Sequence, residues 1–210
     1  LGTNAARAFL NVGAQVVALD SEAKRLQRID DLLNGRVTTM LSSVYNLNRV
    51  TSFSDVIVGA VLSPGRRAPV LITREMVERM RTGAVLIDFS IDQGGCSETS
   101  RPTTLRDQTY VFEGVIHHCV PNFTAAVART TSYGLTNALL PYLNNLGTHG
   151  MVEAFHQDPA LCAGVNVYQG RLAHAEIAEA LGRDVEVHLP HDLGGVAAGA
   201  DDDLVVGGGR

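Results

Sequence analysis

The stretch IDQGGC, residues 91–96, places a carboxylate, two adjacent glycines and a cysteine directly after the apolar run TGAVLIDFS. Asp92 then stands just past a strand end, where it could accept or deliver a proton beside a bound ligand. Gly94 and Gly95 would let backbone N–H groups turn inward and a flat ring lie close. A helix or turn cap is the competing role for Asp92.

Two further residues carry a spacing with chemical meaning. Gly2 sits at the mouth of a helix, and Asp20 ends a strand eighteen residues later. In a dinucleotide-binding unit the last glycine of a turn and a ribose-binding acid have this offset, which implies that the first strand lies before Leu1. An acid at position 20 favours NAD over NADP, because it repels the added phosphate; Lys24 and Arg25 follow closely enough to blur that preference, and both also fit a solvated helix face. Gly59 and Ala60, at the end of DVIVGAV, permit either close approach to a ligand or tight packing. Asn122 follows Pro121 and fits either an N-cap or an amide that reaches a cofactor. His117 and His118 point to opposite faces of a strand, so at most one joins a given site. No spacing of His, Cys, Asp or Glu supports a metal.

The elements that must position these residues alternate. An opening helix ends near Gly13, AQVVALD reads as a strand, and Leu26, Ile29 and Leu33 mark a second helix stopped at Asn34 and Gly35. RVTTML, DVIVGAVL and GAVLIDFS are further strands, separated by a short helix and by REMVERM, for which Thr73 is the N-cap. TYVFEG and VIHHCVP extend the sheet. The expected fold is α/β, a doubly wound parallel sheet of Rossmann type lacking its first strand, with C-terminal helices. From Ser132 the pattern is helical, with Leu135, Leu139, Leu143 and Leu146 on one stripe and Pro141 inside it; shorter helices follow around 151–156 and 172–181. The expected division is a nucleotide-binding domain at 1–131, helices at 132–182 and a mobile, glycine-rich and acidic tail at 183–210.

Composition bounds the partners. The 210 residues carry a net charge of −5 with scattered cations and 5% aromatics, which disfavours nucleic acid. Cys96, Cys119 and Cys162 are odd in number and far apart, as in buried thiols of a reducing compartment. No stretch is long and apolar enough for a membrane helix and no export signal is visible, so a cytoplasmic location is expected.

GTNAA, VVALD, RVTTMLSS, VIVGAVLSPGRRAPVLITREMV, LIDFSIDQGGCSETSRPTT and the block from VIHHCVPN to ALLPYL together resemble the alanine dehydrogenases and the related NAD-binding subunit of transhydrogenase, over residues 1 to about 182. The resemblance implies a homohexameric, NAD-dependent enzyme that interconverts L-alanine with pyruvate and ammonia. It puts the cofactor-binding residues at Gly2, Asp20, Ser42, Val61, Leu62, Ile91 and Asn122, and the catalytic acid at Asp92. Phe123 stands where relatives often carry methionine. The family's N-terminal substrate domain has no counterpart here, so the leucine stripe after Ser132 is expected to be exposed; without the first strand its neighbours lack a hydrogen-bonding partner, so the chain alone is expected to be poorly stable and inactive. A transhydrogenase-type domain, another amino-acid dehydrogenase and an inactive nucleotide-binding remnant are the alternatives.

Overall fold

A computed structural model describes residues 1–63, 65–186 and 189. They fall into two compact units, one of residues 1–63 and 67–123, the other of 65–66 and 124–186. Most of the expected tail at 183–210 lies outside the described residues.

The first unit opens with helix α1 (Gly2–Asn11), strand β1 (Val17–Asp20), helix α2 (Ala23–Leu32) and strand β2 (Thr38–Leu41). Ala6 of α1, Ala18 of β1 and Ile29 of α2 meet in one buried cluster with Leu33 and Val37. Left-handed backbone at Gly13 ends the first turn, and Asn34 and Gly35, both at positive φ, end α2. Helix α3 (Val44–Phe53), capped by the Ser43 hydroxyl, leads to β3 (Val56–Gly59); α4 (Arg74–Glu78), capped by Thr73, leads to β4 (Val85–Asp88). Met76, Val77 and Met80 form the stripe that buries α4 against Leu86 and Val115, so the methionines serve core packing.

Strands β5 (Thr109–Phe112) and β6 (Val115–His118) complete this unit. The sheet order is β3-β4-β6-β5, with β3, β4 and β6 parallel and β5 antiparallel at the edge. β1 and β2 pair in parallel as a separate ribbon, with Val17 opposite Thr38 and Asp20 opposite Leu41. The parallel strands and their crossover helices bear out the expected α/β class. Both expected extensions join the sheet, VIHHCVP parallel to β4 and TYVFEG antiparallel at the edge; the two form a hairpin, because Glu113 and Gly114 both adopt the positive φ of a two-residue turn.

The second unit is chiefly helical: α5 (Ala128–His149), α6 (Met151–Gln157), α7 (Pro159–Ala163), a two-residue hairpin of β7 (Val167–Tyr168) and β8 (Arg171–Leu172), and α8 (Ala175–Ala180). α5 carries Pro141 and buries none of its residues; Leu135, Leu139 and Leu143 are exposed along it.

Candidate functional site

The chain leaves β4 at Asp88 and enters a tight turn, Ile91–Gln93, that carries Asp92. Asp88 is only 1% exposed, and its carboxylate accepts the N–H groups of Ser90 (2.9 Å) and Cys96 (2.9 Å) and the Ser100 hydroxyl (2.6 Å). The two amides bracket the turn, so this buried acid fixes both ends of the loop that presents the exposed one. Gly94 and Gly95 hold φ of 97° and 82°, which only glycine adopts readily. Their N–H groups close the turn on Ile91 and Ser90 oxygens, so they shape the loop and do not face outward as donors.

Asp92 is exposed, and its two oxygens accept the backbone N–H of Asn122 at 3.0 and 3.1 Å. That bond joins the segments after β4 and β6, two strand ends, into one group. Asn122 itself has a φ of 49°, a left-handed conformation that asparagine tolerates. The adjacent Phe123 packs edge-on against Phe89 and His118.

The segment after β3 is tied to the same turn. Val61 N–H donates to the Ser90 hydroxyl at 2.7 Å, and Ser63 N–H donates to the Gln93 side-chain oxygen at 3.3 Å. Val61 and Ile91 are buried, while Leu62 is exposed. A Cβ added to Gly59 would lie 2.2 Å from the Cys96 sulfur, so of the two readings of this glycine, tight packing is realised here.

At the ends of β1 and β2 a second group forms. Asp20 is fully buried; one oxygen accepts the Glu22 N–H at 2.8 Å, and the other has no hydrogen-bond partner. Burial pushes its carboxyl above the usual range, against the Glu22 hydrogen bond and the nearby Arg25 guanidinium. Arg25 pairs with Glu22 at 2.9 Å and stands 4.0 Å from the unpartnered oxygen of Asp20. Ser42 N–H donates to the Asp20 carbonyl at 2.8 Å, and Gly2 lies buried at the start of α1. Gly2 and Val61 line one cavity together with Leu19, the neighbour of Asp20.

The histidines divide as their strand positions require. His117 is fully buried, stacks on Tyr110 and is hydrogen-bonded at both ring nitrogens, while His118 is half-buried beside Phe123. Since a carbonyl only accepts, Nδ1 carries the proton toward Val115 and Nε2 accepts from Thr99. Burial lowers the His117 pKa and raises those of Cys96 and Cys119. Among the described residues no three His, Cys, Asp or Glu side chains gather as metal ligands, and no helix is long and apolar enough to cross a membrane.

Asp88, Ser90 and Gln93 were absent from the residues singled out by sequence. The signal for Asp88 was available: an acid inside a continuous apolar strand must find several donors when buried.

Strand-end acids, a glycine at a helix mouth and parallel strands with crossover helices define an α/β domain of the Rossmann type. The family described as alanine dehydrogenase/PNT, C-terminal domain, matches residues 1–175, and the chain belongs to that family. It is 48% identical over 182 residues to an alanine dehydrogenase of Halomonas elongata, covering 87% of this chain and 49% of that protein. It is 46% identical to an alanine dehydrogenase of Staphylococcus haemolyticus, covering 86% of this chain and 49% of that protein. A solved L-alanine dehydrogenase superposes with a TM-score of 0.77 at 40% identity, over 86% of this chain and 50% of that one. A transhydrogenase from Sinorhizobium meliloti shares the fold, with a TM-score of 0.66 at 22% identity over 82% of this chain and 46% of that one. The chain thus spans about half the length of the curated relatives it matches.

Proposed function

We propose that this chain is the NAD-binding part of an L-alanine dehydrogenase, which converts L-alanine, water and NAD reversibly to pyruvate, ammonia and NADH. The observation that carries the reading is Asp92, an exposed acid at the carboxyl end of β4 whose carboxylate is fixed by the Asn122 N–H.

The residues fit a dinucleotide. A buried carboxylate oxygen without a partner is costly, and a ribose hydroxyl is a donor that would satisfy Asp20. Gly2 would let a pyrophosphate approach the start of α1, and Ser42 would stand beside the adenine. Val61, Leu62, Ile91 and Asn122 would line the nicotinamide end. When bound, the cofactor supplies the acceptor for the hydride that leaves the substrate Cα. Asp20 would disfavour a 2′-phosphate by repulsion, which makes NAD the preferred form.

Asp92 works on the protons. Loss of hydride leaves an imine, to which water must add before ammonia departs. Asp92 would orient that water, take its proton and return a proton to the leaving amine. Its hold on the Asn122 N–H keeps the carboxylate at one position between cofactor and substrate. On this reading residues 132–182 pack on a substrate-binding domain, and the working enzyme is a cytoplasmic homo-oligomer, a hexamer by family resemblance.

The test is a chimera in which residues 1–182 replace the matching segment of the Halomonas elongata enzyme. We expect alanine-dependent NADH formation, and in Asp92→Asn a loss of about 10²–10⁴-fold in kcat with NADH affinity nearly unchanged. Near-normal turnover in that variant would remove Asp92 from the role.

A further inference from the structure

Arg25 stands where its charge works against the cofactor preference that Asp20 sets. It is the third residue of α2, and a cation in the first turn of a helix faces the positive end of the helix dipole. Its guanidinium is nonetheless held there, 2.9 Å from the Glu22 carboxylate and 4.0 Å from the Asp20 oxygen that has no hydrogen-bond partner. To that same oxygen a ribose hydroxyl would donate. The guanidinium therefore lies within reach of a phosphate carried on that hydroxyl, and its planar fork suits a phosphate well. Asp20 repels such a phosphate and Arg25 attracts it, so these two charges alone leave the choice between the dinucleotides open.

Glu22 touches both of them. Its backbone N–H donates to the other oxygen of Asp20 at 2.8 Å. Its side chain, at the N-cap position of α2, makes no bond to the free N–H groups of the helix and turns to Arg25 instead. An arginine already paired with a carboxylate must give up that partner before it takes a phosphate, and the acid left behind adds its own repulsion. The two side chains of the pair are 29% and 55% exposed. Ion pairs so open to water add little to stability, so Glu22 can be changed without loss of the fold.

We propose that Glu22 is a specificity-determining residue, which excludes a dinucleotide bearing a 2′-phosphate by keeping Arg25 engaged. The proposal rests on the reading of Asp20 as the ribose acid and divides the work at this edge: Asp20 receives the hydroxyl, and Glu22 withholds the cation. With Glu22 made neutral, Arg25 is free to grip the phosphate in a charge-assisted bond, and only the repulsion of Asp20 opposes it.

The test uses the chimera that carries residues 1–182, with NADH and NADPH binding followed by fluorescence titration at low ionic strength, where the charges are least screened. In Glu22→Gln we expect NADPH affinity to rise by at least about tenfold, the worth of one charge-assisted hydrogen bond, while NADH affinity changes by less than about twofold. Arg25→Gln alone should not tighten NADPH, and adding it to Glu22→Gln should abolish the gain. An unmoved ratio of the two affinities in Glu22→Gln would overturn the proposal. So would a gain that survives in the double variant, because the guanidinium would then have no part in it. Failure of the underlying reading looks different: NADH would bind the parent chimera no more tightly than Asp20→Asn, which overturns the ribose assignment and this proposal with it.

Discussion

Asp20 shows how one side chain can be badly placed for stability and well placed for binding. Its folded pKa is raised, so the protonated form is the one favoured by folding. The associated stability is full below the ordinary value of 3.8 and is lost as pH rises through the folded pKa. At neutral pH the ionised oxygen is therefore a liability. Asp20→Asn should leave the pH 7 melting temperature unchanged or higher. It should also weaken NADH binding about tenfold, the loss of one hydrogen bond to a charged acceptor. Thermal melts and NADH fluorescence titration read the two effects separately, and an unchanged NADH affinity would contradict the ribose assignment. That Asp20 ends a strand was legible from the apolar run VVAL before it. The lean of Arg25 over it was not, because a flexible side chain leaves no periodic mark.

The strands were readable where both faces are covered, since burial turns VIVG and VLID into continuous apolar runs. The direction of β5 was not, because TYVFEG reads the same whether its chain returns by a helix or by two residues. Only the positive φ at Glu113 and Gly114 makes it a hairpin. The loop after β4 illustrates the same limit: the sequence displays Asp92 and its glycines but gives no sign that Gly59, more than thirty residues earlier, touches Cys96. Gly59→Ala should destabilise the first unit by about 1–3 kcal/mol, the usual range for overpacking. The Cys96 sulfur cannot swing aside freely, because it is buried and lies 3.4 Å from Asp88. Adding Cys96→Ala should recover part of that loss, and a double-mutant cycle by denaturant unfolding measures the coupling. Strict additivity would show that the clash is relieved elsewhere.

Over the whole chain, the alternation of helix and strand was legible because each element must bury one face. The pairing of β1 and β2 apart from the other strands was not, because pairing is decided between elements distant in sequence. The same core sets the response to acid. His117 is neutral in its buried site with its pKa below 6.5, so its contribution to stability is complete above pH 6.5 and is lost as pH falls through the folded value. The thermal midpoint of the first unit should drop as pH is lowered from about 7 toward about 5. In His117→Gln that acid slope should be shallower, whatever the variant's absolute stability, and a slope equal to that of the parent chain would place the titration elsewhere.

Cys96 adds a kinetic corollary to this static picture. The residue is 1% exposed, its amide is anchored on Asp88, and burial together with that neighbouring carboxylate holds the thiol well above its ordinary pKa. Electrophiles can reach it as thiolate only when the loop around Asp92 lifts away from β3. Its modification rate is therefore a native clock for the breathing of the segment that carries the proposed proton shuttle, and any molecule that clamps that segment shut will slow the clock without touching the sulfur.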